Sequence, residues 1–535
     1  MTLWAGLLSL SLFFDAGPQA GNESLRHQQR GQALMEQGNL DAALPEFQRA
    51  VEINPKDAIS HDAIGIVLGE TGKLDQAIAA FQKSIAADAR FAEPHFHLGL
   101  AYDRAGRTQD AVAEYQAALQ LKPALIEAKY GLSIACATLG DLDGAIGLLR
   151  QVIATAPQLA EAHYNLGLHL WERFKASPQS KQSKDLDEAA SELTRAVQLD
   201  LQEPRFQSAL GQLLADKNDL TPAIEHLRRA VALAPDNAEH AYNLGLALRL
   251  NGDFDAAESA FRNALKLNPN HALARRSLGL LLRQKGDLAA AASELRQSVA
   301  QMPNDAQGHH LLGTVLLKMG DLPSAVDELR QAVRLDPQLS EAHVTLAQAL
   351  ARSGRKDEAL QEQTEIQRLN TQNAQFGRTL ILLETAAAHL HGTPAEQTDA
   401  IAQLREAVTL SPTFAEAHYQ LGAALRTTGK VPDAESALRQ AITLDPNHAR
   451  AHEQLAQVLA QRGDKTNALK EIRRATELSP SLTDAQRELA RLAAEAKDWP
   501  TAIAAYRAVI AWDPTHTDAQ HALTTALEAQ SHAAH

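Results

Sequence analysis

Cysteine is nearly absent from this 535-residue chain, and the single Cys136 excludes an intrachain disulfide framework or a thiolate metal site. Aromatic residues make up only 4% of the sequence, too few for one large aromatic core. No block of like charge is present; the net charge of −14 is spread along the chain. That balance favours solubility and argues against nucleic acid or an anionic membrane as partner. The longest apolar run, Leu3 to Phe14, would reach roughly 18 Å as a helix, short of the ~30 Å hydrocarbon core. No integral membrane span is therefore expected.

What the sequence has instead is repetition. A pattern returns fourteen times between residues 24 and 516, most often every 34 residues. It is clearest in Ala160-Glu161-Ala162-His163-Tyr164-Asn165-Leu166-Gly167, and returns nearly unchanged at Ala238–Gly245 and Ala415–Gly422. Counting Ala160 as position 1, position 8 is glycine in nine repeats, among them Gly65, Gly211 and Gly245. An alanine opens the second half of every repeat, as at Ala77, Ala223 and Ala257. Two helices can cross closely only where side chains are small, so this glycine and alanine predict a helix hairpin. A turn glycine such as Gly252 or Gly286 separates the halves, and a proline such as Pro269 or Pro303 closes most repeats.

These positions resemble the tetratricopeptide repeat family, whose pattern places Trp, Leu, Gly, Tyr, Ala, Phe, Ala and Pro at positions 4, 7, 8, 11, 20, 24, 27 and 32. The resemblance covers 493 of 535 residues. It implies an all-α, right-handed superhelical solenoid of about fourteen helix-turn-helix repeats. Each repeat buries its apolar face only by stacking on its neighbours. The chain departs from the pattern at position 4, where histidine stands at His27, His61, His95, His163, His309, His343, His418 and His452. Equivalent histidines on stacked helices, ~8–10 Å apart, cannot share a metal ion, so they read as flat, half-polar packing groups.

Residues 1–20 read as a signal peptide, 21–516 as the solenoid and 517–535 as a capping helix and tail. The signal reading rests on the apolar run and the small residues Ala16 to Ala20, although a basic leading segment is missing. Export to the periplasm or outside the cell follows if that signal operates; otherwise the segment caps the first repeat in the cytoplasm. Two repeats are longer. The fifth carries a polar insertion near 172–185, read as a flexible loop, and the eleventh one near 386–398, read as a longer inter-helix turn.

No catalytic constellation is found. Gly69 to Leu74 glances at a phosphate loop, but Leu74 stands where Ser or Thr would hold magnesium. His452-Glu453 begins like a zinc-protease helix, yet the second histidine is replaced by Ala456. The chain is expected to be non-enzymatic, without cofactor or metal.

In the family, first helices line the concave face and positions 2, 5, 9 and 12 point into it. The resemblance thus assigns to that face Phe96, Tyr130, Tyr164, Tyr242 and Tyr419, with Leu100, Ile134, Leu168, Leu246 and Trp171. It also places Arg249, Arg276 and Arg283 there, either receiving a carboxylate-bearing partner or pairing with neighbours such as Glu239. The expected function is a scaffold that binds a protein or peptide along this groove. Alternatives are an assembly protein acting through its convex surface, and a recruiter of substrate for a separately encoded transferase. The sequence does not specify the oligomeric state.

Overall fold

A computed structural model describes residues 22–176, 183–513 and 516–533. The expected signal at 1–20 and the centre of the fifth-repeat insertion, 177–182, lie outside the described residues. Among the described residues there are 28 helices and no strand. They form two compact parts: residues up to Gln158 together with those from His418 onward, and Leu159–Ala417.

The seventh repeat shows why the sequence folds this way. Asn237 caps the helix Ala238–Leu250, its side chain accepting from the backbone amides of Glu239 and His240. Gly252, at φ 86°, turns the chain into the second helix, Phe254–Leu267. Ala257, Phe261 and Ala264 share one buried face of that helix, and Phe261 enters the space left by Gly245. A methyl group on Gly245 would stand 2.6 Å from the Phe261 ring. Burying one such phenylalanine stabilises a hairpin by roughly 1.5–3 kcal/mol. Elsewhere leucine fills the same space, as Leu227 does against Gly211, whose added methyl would also meet the Ala223 carbonyl at 3.0 Å. Where the glycine is present, it and the alanine are therefore the crossing point of the hairpin.

The left-handed turn seen at Gly252 recurs at the nine other turn glycines, and Asn218 (φ 63°) and Lys497 (φ 60°) adopt it without being glycine.

The eleventh repeat corrects the expected long turn. A single helix, Lys356–His389, runs through the junction of repeats ten and eleven, and the next begins at Pro394. No proline stands at that junction to stop the tenth repeat's second helix, so it runs on into the first helix of repeat eleven, while the extra residues near 386–398 lengthen the two helices of repeat eleven, to His389 and from Pro394. The remaining turn is short and closed by a capping box between Thr393 and Glu396. In the fifth repeat the first helix extends to Ala176 and the second starts at Ser183, so helix takes up part of the expected loop.

The position-4 histidines are more than packing groups. Nδ1 of His27, His95, His309, His343 and His452 lies 2.6–2.7 Å from a glutamate carboxylate in the second helix of the same repeat. His163 meets Glu192 likewise at 2.5 Å. Nε2–H of His309, His343 and His452 donates to the carbonyl of Pro303, Pro337 and Pro446 at 3.1–3.2 Å. The ring thus ties its hairpin to the preceding inter-repeat turn. Arg275 makes the same two connections, to Glu294 and the Pro269 carbonyl.

In the first part, repeats three and four also meet the end of the solenoid. Helix Thr108–Leu121 packs on Trp499–Trp512, and Ala511 joins the buried cluster that holds Tyr115 and Leu148. Cys136 lies in that cluster, and burial pushes its thiol well above the usual range.

Candidate partner-binding surface

All thirteen residues assigned to the inner face lie on first helices, but the packing divides them. Within the first part, Phe96 is 2% exposed, its ring 6.1 Å from Tyr115 and 5.3 Å from His97. Leu100 is buried beside it in the same core. These two belong to the stack between helices rather than to a free surface. Tyr130 and Ile134 are half-buried on the next first helix, Ile126–Thr138. Tyr419 is half-buried with its ring 4.6 Å from that of His448.

In the second part, Tyr164 is half-buried and rests on Phe206 at 4.9 Å, with the Arg205 guanidinium 5.8 Å from its ring. Desolvation raises the pKa of its hydroxyl. Leu168 and Leu246 are half-buried. Trp171 is buried: its Nε1–H donates to Asp216 at 3.0 Å and Lys175 sits 3.5 Å above the ring. Tyr242 is also buried, against His271 at 4.8 Å and Phe261 at 6.1 Å. Phe96, Leu100, Trp171 and Tyr242 are therefore corrections to the expected surface. Neighbouring helices lie close enough to cover them, and aromatics at these positions serve the stack.

The three arginines separate in the same way. Arg276 donates to both oxygens of Asp305 at 2.9 Å, so its charge is neutralised inside the solenoid. Its partner is not Glu239, which is bonded instead to His271 at 3.1 Å. Arg249 and Arg283 are half-buried and meet no carboxylate among the described residues. The Nε of Arg249 is buried without a hydrogen-bond partner. Desolvation lowers the pKa of Arg283. On the following first helix, His310 is depressed mainly by burial, with the Arg283 charge acting in the same direction. Two unneutralised guanidinium groups at the same position of successive repeats can receive an anionic group.

Sequence reasoning missed the partners of the position-4 histidines. The available signal was a glutamate nineteen residues after most of them, as in Glu46, Glu114, Glu328, Glu362 and Glu471. Among the described residues no three His, Cys, Asp or Glu side chains stand together as metal ligands. No helix among them is long and apolar enough to cross a membrane.

The chain is similar to several solved structures. MamA from Desulfovibrio magneticus RS-1 is 26% identical over 31% of this chain and 94% of its own, with a TM-score of 0.30. Yeast Tom70 is 12% identical over 83% of this chain and 96% of its own, at 0.33. YrrB, described as a TPR protein with an unusual peptide-binding site, is 19% identical over 43% of this chain and 95% of its own, at 0.27. No curated protein matches the chain. Sequence profiles described as Tetratricopeptide repeat match residues 63–126, 104–167, 242–306, 310–374, 419–483 and 453–517, and one described as TPR repeat matches 31–72, 211–252 and 396–429. With more than half of its length so matched, the chain belongs to the tetratricopeptide repeat family.

Proposed function

We propose that the protein is a non-enzymatic scaffold that binds a protein or peptide along the first helices of its repeats, with repeats five to nine as the principal surface. The observation that carries this reading is the pair Arg249 and Arg283, without carboxylate partners beside the half-buried Leu246 and Leu280. Cationic and apolar groups together suit a peptide bearing a carboxylate and an apolar side chain. Affinity capture with the purified chain, followed by mass spectrometry, identifies the partner. Tyr164→Ala should then weaken its binding by ~2 kcal/mol. Replacing Arg249 and Arg283 by glutamine should weaken it mainly at low salt. Wild-type affinity in both folded variants would move the interaction elsewhere.

A second reading, an assembly protein acting through its outer surface, is favoured by one observation. Where helix Lys356–His389 forms the second helix of repeat ten, it leaves Leu360 63% exposed. Leu360→Ser should leave groove binding unchanged but disrupt any assembly seen by light scattering.

The place of action is the cell envelope or beyond, a proposal resting on Leu3–Phe14 and the small residues after it. N-terminal sequencing of the native protein should find a start between Ala16 and Asn22. An intact Met1 in a cytosolic fraction would reject export.

A further inference from the structure

A cleft of about 510 Å³ opens between the first helices of repeats twelve to fourteen, Ala415–Thr427, Ala449–Gln461 and Thr483–Glu495. Its lining is charged and polar, and most of those charges are answered within the cleft. Arg487 donates to Asp484 at 2.6 Å. Arg491 donates to Glu488 at 2.5 and 2.9 Å and also bonds Glu495. Arg426 donates to the amide oxygen of Gln454 at 2.6 Å.

Glu453 is the exception. It is 8% exposed, lines the cleft, and accepts one hydrogen bond, from Gln457 Nε2 at 3.2 Å. No lysine or arginine nitrogen reaches its carboxylate among the described residues. A largely buried carboxylate without an ion pair is costly, and a cation entering the cleft would relieve that cost. The preceding residue cannot supply it, because His452 is held by Glu471 and the Pro446 carbonyl.

We propose that this cleft takes the ammonium or guanidinium end of a lysine or arginine side chain from an extended peptide, with Glu453 as its counter-ion. The buried, unanswered group decides the sign of the ligand, since Arg426 keeps a polar partner and is only half-buried. The net charge of −14 favours approach of a basic partner. The site lies in the first compact part, on residues distinct from Arg249 and Arg283, so either proposal stands if the other fails.

Around Glu453 stand Arg426, Arg450, Asp484 and Glu488; burial, with the Asp484 and Glu488 charges, raises its pKa against the opposing pull of Arg450 and Arg426, so acid should weaken cation binding.

The test titrates the full chain with fluorescein-labelled Gly-Gly-X-Gly-Gly amides, X being lysine, arginine, norleucine or glutamate, and separately with spermidine. The lysine and arginine peptides should bind about tenfold more tightly than norleucine. Glu453→Gln should erase that preference, while Arg426→Gln should preserve or strengthen it. Acidification of the wild-type protein should weaken only the cationic peptides, an arm that does not depend on a folded variant. Equal binding of lysine and norleucine peptides overturns the proposal. So does preference for the glutamate peptide with loss in Arg426→Gln, which would make it an anion site. Binding of spermidine without the lysine peptide overturns the peptide source.

Discussion

Asp141 accepts two hydrogen bonds from Ser481, a residue 340 positions later in the chain: one from the amide at 2.9 Å and one from the hydroxyl at 2.8 Å. Asp141 also caps the helix Leu142–Thr155 by accepting from the Gly144 amide at 3.0 Å. An added methyl on Gly144 would stand 2.7 Å from Ser481 Cβ, so the two segments meet where the side chain is smallest. One buried carboxylate thus satisfies a helix end and a distant turn together.

Asp141→Ala should leave those donors unpaired and destabilise the first part by about 1–3 kcal/mol. Hydrogen exchange at the Ser481 amide should accelerate more than at amides of the second part. Unchanged exchange there would show that the two ends are held by other contacts.

The crossing points of the hairpins should resist enlargement. Gly65→Ala would press a methyl into the Phe81 ring, and Ala257→Leu would overfill a fully buried site. Each should lower stability by about 1–3 kcal/mol. An unchanged denaturation midpoint in Ala257→Leu would disprove the assigned register.

Lys497 adopts the left-handed turn that glycine supplies in ten other repeats. Lys497→Gly should therefore stabilise the protein by about 1 kcal/mol, because the lysine side chain pays a steric penalty there. A lower midpoint in urea would show that the lysine makes a contact worth more than the strain.

Burial pushes the Asp103 carboxyl up to about 6, while the hydroxyl of Tyr115, donating at 2.8 Å, acts in the opposite direction. Its folded value lies above the unfolded one, near 3.9. Its contribution is therefore fully present below about pH 4 and is lost as pH rises through about 6. Relative to Asp103→Asn, the wild type should lose stability between these values. Parallel midpoints across that range would reject the assignment.

The hairpins and their crossing points were legible in the sequence because they depend on contacts between residues near one another in the chain. Ala257, Gly245 and Gly252 each announce a local geometric need that few other residues meet. The fused helix Lys356–His389 was legible only in the negative, as a missing proline. The position-4 histidines were seen but their role was misread, since a single side chain does not reveal the acceptors at both ends of its ring.

Sequence alone determined the all-α repeat architecture, because period and residue size encode helix stacking between neighbours. Tertiary structure decided which inner positions remain available to a partner. Phe96 and Tyr242 occupy the same repeat position as Tyr130 and Tyr164, yet the first two are buried and the others half-exposed. Repeat position sets only the direction of a side chain, while the neighbouring helices determine how much of it water can reach. The same holds for charge: Arg276 finds Asp305 across a repeat boundary, whereas Arg249 and Arg283 find no carboxylate among the described residues. Pairing across helices depends on distances of a few ångströms that the repeat spacing does not specify.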